Sequence, residues 1–242
     1  MTTSDYSGNL RINAENVNLK QNSQIASFLV KRHITKIFHF SHVDNLGTIK
    51  THGLLSRKHL VSRGRLVRFS DEVRLDELED AICCSLTTPN LYMLRSKIKQ
   101  RGNVFILFEI PANSILYRKF ACFPSNAARS DIRKLGREKP QDCTGVKGLS
   151  RMFLNREIRS KNKFSETQPT DQQAELVFFD PLPFSLVRKI HVPANLPTEK
   201  LAVLKMLESD YPDIEVEYAC KCRYFENVDQ NRVFSKWEED WE

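Results

Sequence analysis

The stretch KIFHFSHVDNLGTIKTHGLL, Lys36 to Leu55, decides how the rest of the chain is read. Lys36 to Ser41 alternates aromatic and apolar residues with polar ones, the period-two pattern of a strand. A short helix is expected next: Asp44 is placed to cap it, Leu46 and Ile49 fall on one face, and Gly53 suits the left-handed stop. Upstream, Ser23 to Arg32 reads as a helix with Ile25, Phe28 and Leu29 on one side, and residues 1–22 as a loose polar arm. Downstream, Arg57 to Glu79 reads as a long loop holding at most one short helix, a length often reserved for function. Further strands are expected at Ala81–Leu86, Asn103–Ile110, Tyr117–Phe123, Gln173–Phe179, Val187–Val192 and Ile214–Tyr218. Helices are expected from Pro89 toward Gln100 and over Thr198–Glu208. Strands and helices alternate only in part, and neither GxGxxG nor a P-loop occurs, so the expected class is α+β rather than a doubly wound sheet.

With 242 residues, 40% of them hydrophobic and 28% charged, the chain has ordinary globular composition. A single domain over 23–242 is expected, carrying a basic, loop-rich insertion around 125–165. No run of residues is apolar enough to suggest a membrane helix, and MTTSDYSG lacks the pattern of a signal peptide, so a cytoplasmic protein is expected. The six cysteines then read as free thiols. Five of the six histidines fall between His33 and His59, but without acidic or cysteine ligands at matching spacing no metal is expected. Charge is uneven: Arg95–Lys163 has 17 Lys/Arg against 5 Asp/Glu, whereas Leu196–Glu242 has 6 against 12. A polyanion-binding middle and an acidic tail follow, with a solvated basic surface as the less favoured alternative.

Three segments carry a resemblance. FHFSHVDNLGTIKTHGLL (Phe38–Leu55), RLDELEDAICCSLTTPNLYM (Arg74–Met93) and QQAELVFF (Gln172–Phe179) occur in the order seen in DarT-type ADP-ribosyltransferases, toxins that modify single-stranded DNA. The second segment is most similar to the guanine-modifying branch. The resemblance implies the ADP-ribosyltransferase fold, a split antiparallel β-sheet core around an NAD cleft. It implies NAD as the substrate, single-stranded DNA as acceptor, and an antitoxin that removes the modification.

By the same resemblance Glu175 is the catalytic carboxylate. An acid there suits a developing oxocarbenium ion, although on position alone a solvent-facing glutamate explains it. His39, Phe40 and Ser41 match the family's NAD-contacting strand; an imidazole and a hydroxyl both give and accept hydrogen bonds, as a ribose requires. Asn45 is expected at the ligand or as a cap. Arg74 matches an arginine at the NAD phosphates and near the reaction; its planar fork suits bidentate phosphate binding, and a pair with Asp76 or Glu77 is the alternative. Tyr92 is expected on the nicotinamide, with the order Leu91–Tyr92 leaving open which side chain faces the cleft. Arg129, Arg133 and Lys134, with Arg151, Arg156 and Arg159, are expected on DNA phosphates. Transfer to RNA or protein, or non-catalytic nucleic-acid binding, are the competing functions.

Overall fold

The computed structural model describes residues 19–65, 67–69, 74–102, 104–218 and 225. Most of the N-terminal arm, Cys220, Cys222 and residues 226–242 of the acidic tail lie outside them. Helix α1 (Leu19–Lys31) starts before the expected Ser23 and buries Ile25 and Leu29. Seven strands follow in one sheet: β1 (Lys36–His42), β2 (Ile82–Leu86), β3 (Phe105–Pro111), β4 (Phe120–Phe123), β5 (Glu175–Phe178), β6 (Lys189–Val192) and β7 (Glu215–Tyr218). Their order is β4-β5-β2-β1-β3-β6-β7. All pairings are antiparallel except β6 with β7, which are parallel. The fold is therefore the expected α+β, with one mixed edge.

The central pairing is short. β1 meets β3 along all of its length, from Lys36 opposite Pro111 to His42 opposite Phe105. It meets β2 only at Ile37–Leu86 and Phe38–Ser85. Beyond Phe38 the two strands part and the sheet opens into halves. Each half stays packed because its own strands are apolar: Phe105–Phe108 and Leu176–Phe178 are fully buried. The split is thus built into the middle of the sheet while both halves keep a core.

Between the strands lie α2 (Leu46–His52), α3 (Arg57–Ser62), α4 (Leu91–Arg101), α5 (Ser130–Glu138), α6 (Gly145–Arg151), α7 (Arg156–Lys161) and α8 (Thr198–Asp210). Several local expectations change. Asp44 does not cap α2; a 3-10 turn over Val43–Asn45 comes first, with His42 as its N-cap, and Asp44 instead pairs with Arg68 and Lys200. Pro89 lies outside α4, because Asn90 caps that helix by accepting from the Met93 N–H at 3.0 Å. Gly53 does stop α2, at φ 77 and ψ −175, where its N–H reaches Ile49 O. A Cβ there would lie 2.4 Å from Leu182 O, so this position needs glycine.

The basic stretch is also more than a loop-rich insertion. Leu149, Met152 and Phe153 enter the main core beneath α1. Ile132 and Cys143 join Leu78, Ala121, Phe123, Ala127 and Val177 in a second apolar cluster beside β4 and β5. Apolar residues spaced among many charges bind these helices to the sheet. Among the described residues no helix is long and apolar enough to cross a membrane, and Cys83, Cys84, Cys122 and Cys143 are free thiols.

Candidate active site

Where β1 and β2 part, a cavity of about 250 Å³ opens. His39, Phe40 and Ser41 line it from β1, Cys83 and Ser85 from β2, and Glu175 from the first position of β5. Asn45, Arg74 and Asp76 complete the polar wall, and Val67, Arg68 and Phe69 cover part of it. The three segments Phe38–Leu55, Arg74–Met93 and Gln172–Phe179 therefore meet in one cleft.

His39 sits at the fork itself. Its Nδ1 is 2.8 Å from the Cys83 carbonyl, which lies on the strand that β1 no longer pairs with. A carbonyl only accepts, so Nδ1 carries the proton and Nε2 is left with a lone pair. Burial lowers the His39 pKa, the bond to Cys83 opposes this, and the charge of Arg74 lowers it further. The ring is thus neutral near pH 7 and offers an acceptor to a sugar hydroxyl. Ser41 Oγ accepts from Asn45 Nδ2 at 3.0 Å and keeps its own proton to donate.

Asn45 is a clamp. Its Nδ2 also donates to Arg68 O at 2.8 Å, and its Oδ1 accepts from Arg68 N at 2.8 Å, so its amide is spent on the protein. With Arg101 donating to Phe69 O and the Arg57 guanidinium 4.5 Å over the Phe69 ring, it fixes Val67–Phe69 across the cleft. Neither the cap nor a free ligand contact expected from sequence matches this arrangement.

Arg74 is also tied. Nε and Nη2 form a fork on Asp76, at 2.8 and 2.7 Å, and Nη2 further donates to Leu78 O and to Cys83 Sγ. The side chains are 15% and 10% exposed, so this is a largely desolvated pair and not the surface pair that a sequence suggests. The bidentate edge is consumed, and a phosphate can meet only Nη1; the fork-on-phosphate expectation is corrected in that respect. Asp76, Cys83 and Glu175 lie with their ligand atoms within 4.8 Å of one another. The guanidinium already supplies positive charge to this group: burial opposes its protonation, and Cys83, Asp76 and Glu175 together hold its pKa raised. Burial pushes the Cys83 thiol well up, with Arg74 opposing and Glu175 and Asp76 adding to the rise. Cys83 is therefore a neutral neighbour rather than a nucleophile.

Tyr92 stands apart. It is 47% exposed and does not line the cleft, whereas Met93 does. The expected DNA contacts divide. Arg129 precedes α5 and donates to Asp131, Arg133 lies on α5, and the approach to that helix through Asn126 and Ala128 forms the cleft rim. Lys134 points to Glu138 at 3.9 Å, on another side of that helix. Arg151 donates to Asp142 at 2.5 Å. Arg159 donates to Gln168 O, Ser165 O and Thr170 Oγ1, which pins the loop before Glu175. Arg156 is exposed on α7. Arg137, not anticipated, reaches the same Glu77 as Arg133; its spacing of four from Arg133 was the available signal.

A family profile described as "DarT: ssDNA thymidine ADP-ribosyltransferase, DarT" matches residues 38–218. No curated protein matches the sequence. Among solved structures, Thermosipho africanus DarTG in complex with ADP-ribose is similar at 16% identity and TM-score 0.48, over 76% of this chain and 49% of that one. The chain thus spans about half the length of that protein. Thermus sp. 2.9 DarT in complex with carba-NAD+ gives 18% identity and TM-score 0.49 over 76% and 95% of the two chains. The same DarT in complex with ADP-ribosylated ssDNA gives 17% and 0.45 over 80% and 97%. With its profile match running from Phe38 in β1 to the end of β7, the chain belongs to the DarT family of ADP-ribosyltransferases.

Proposed function

We propose that this chain transfers ADP-ribose from NAD to a guanine of single-stranded DNA and releases nicotinamide. The observation that carries the reading is that Glu175 shares one cleft with His39, Ser41 and a fixed Arg74. In the reaction the bond from the ribose C1′ to the nicotinamide nitrogen breaks, and the pyridine leaves with the electron pair. A base nitrogen then bonds to C1′ and gives up a proton. Glu175 is the anion beside that carbon, where a fixed charge counts most as the sugar becomes cationic. Its carboxylate is also placed to take the proton from the attacking base. Nε2 of His39 accepts from a ribose hydroxyl, and Arg74 Nη1 donates toward the phosphates or the acceptor. A single strand is the natural substrate, since a paired base hides the atoms to be modified.

Guanine is favoured by the likeness of the Arg74–Met93 segment to the guanine-modifying branch, while the family description names thymidine. Incubation with NAD and single strands containing only guanine or only thymine as a reactive base, with RNA alongside, separates these outcomes by product mass. Glu175→Gln is expected to abolish the adduct. Full activity of that variant would falsify the assignment of Glu175; an adduct on thymine alone would overturn guanine. We further propose, as the family's logic implies, cytoplasmic action as a toxin and a partner antitoxin that hydrolyses the adduct. Growth arrest by the wild type but not by Glu175→Ala, relieved by such a hydrolase, is the expected result.

A further inference from the structure

We infer that Arg133 and Arg137 form a phosphate subsite for the acceptor strand and that Glu77 occupies it as a built-in competitor. This rests on the reading that a nucleic acid is the acceptor. Arg133 and Arg137 lie four residues apart and so share one face of α5. Arg133 Nη1 donates to Glu77 Oε1 at 3.2 Å and to Leu75 O at 3.2 Å, while Arg137 Nη2 holds Glu77 Oε2. Two guanidiniums thus bind the two oxygens of one carboxylate, the arrangement that the two non-bridging oxygens of a phosphodiester would take.

The place of Glu77 in its loop supports a role beyond surface pairing. Its φ is +61, an unfavourable conformation for a residue with a side chain. It lies between Asp76, which holds Arg74, and Leu78, which is 1% exposed and packed in one cluster with Ile132 of α5. Leu75 and Asp76 themselves line the cleft. Glu77, which the two arginines hold, is therefore the next residue along from the cleft wall. All three are accessible: the Arg133, Arg137 and Glu77 side chains are 32%, 50% and 41% exposed. Exposed pairs of this kind are weak and exchange with a better anion.

The test is steady-state kinetics of the full chain at saturating NAD, with a 20-residue single-stranded oligonucleotide containing guanine and thymine as the varied substrate. Removing the competitor in Glu77→Gln is expected to lower the oligonucleotide KM about three- to tenfold with kcat changed less than about twofold. Glu77→Gly, which suits the positive φ, should do the same, so backbone damage cannot account for the effect. The Arg133→Ala/Arg137→Ala double variant should raise KM about tenfold or more and reduce the salt slope of binding by about 1.4, at about 0.7 per phosphate contact on a single strand. An unchanged or raised KM in both Glu77 variants overturns the competitor, and an unchanged KM in the double arginine variant overturns the subsite. A wild type that consumes NAD but never labels nucleic acid overturns the acceptor reading instead, and this inference with it.

Discussion

Gly53 and Gly102 make a matched pair that isolates one steric contact. Both end a helix, at φ 77, ψ −175 and φ 82, ψ −180, a region essentially restricted to glycine. Their surroundings differ: a Cβ on Gly102 meets nothing within 4 Å, whereas one on Gly53 would lie 2.4 Å from Leu182 O and 3.0 Å from Pro183 Cα. Gly102→Ala therefore bears only the backbone cost, about 1–3 kcal/mol. Gly53→Ala bears the same cost and must also push apart the Leu54–Leu182 bridge, whose two bonds are 2.8 and 3.0 Å long. At about 1 kcal/mol per net hydrogen bond this adds about 2 kcal/mol. For a chain of this size each kcal/mol moves Tm by about 2–4 °C, so Gly53→Ala should melt about 4–8 °C below Gly102→Ala. Calorimetry or circular dichroism melts of the two variants decide the matter. Equal melting temperatures would show that the close approach of Gly53 to Leu182 contributes nothing.

Other consequences are smaller in scope. The depressed pKa of His39 means that the folded state keeps it neutral while the unfolded chain takes up a proton below about 6.5. Its contribution to stability is present above that pH and is lost as pH falls through the folded value; denaturant titrations from pH 7.5 to 5 on wild type and His39→Gln, which should flatten the dependence, check the sign. Burial raises the thiols of Cys83, Cys84 and Cys122, so stability should fall as pH rises above about 9.0, where the unfolded chain ionises first. Native Cys83 should also resist alkylation at pH 8 until denaturant is added, and rapid native labelling would contradict its neutral state. Arg159→Ala should cost about 1–3 kcal/mol, because three acceptors in the loop before Glu175 lose their donor. Its effect should register in Tm and leave the salt slope of DNA binding alone; a reduced slope would return Arg159 to the DNA contacts.

What could be read from sequence follows the range of the interactions involved. Strands such as Asn103–Ile110 declare themselves because period and β-branching are local, and β3 runs from Phe105 to Pro111. The parting of β1 from β2 after two residue pairs is invisible in either strand alone, since both continue with strand-like residues. Asp44 looks like a cap to its neighbours, yet its partners Arg68 and Lys200 lie far along the chain. Tyr92 and Met93 exchange places for a related reason. The cap at Asn90 sets the rotation of α4, and one residue of phase turns a side chain by about 100°. Spacing placed Arg151 and Arg159 among the DNA-phosphate contacts, but could not show that Asp142 and the carbonyls of residues 165 and 168 already hold them. That Glu175, His39 and Arg74 share one cleft was legible because three short segments in the right order constrain one another.

A sheet that divides in mid-course leaves two inner rims, and bare strand rims are ordinarily seeds for association between chains. Here the rim on β2 is only five residues long and is shared with β5 on its other side. The strap at Val67–Phe69 and the imidazole of His39 stand where an incoming strand would have to lie. The course an incoming strand would follow is thus already taken, so the opening that creates a place for chemistry denies aggregation a template.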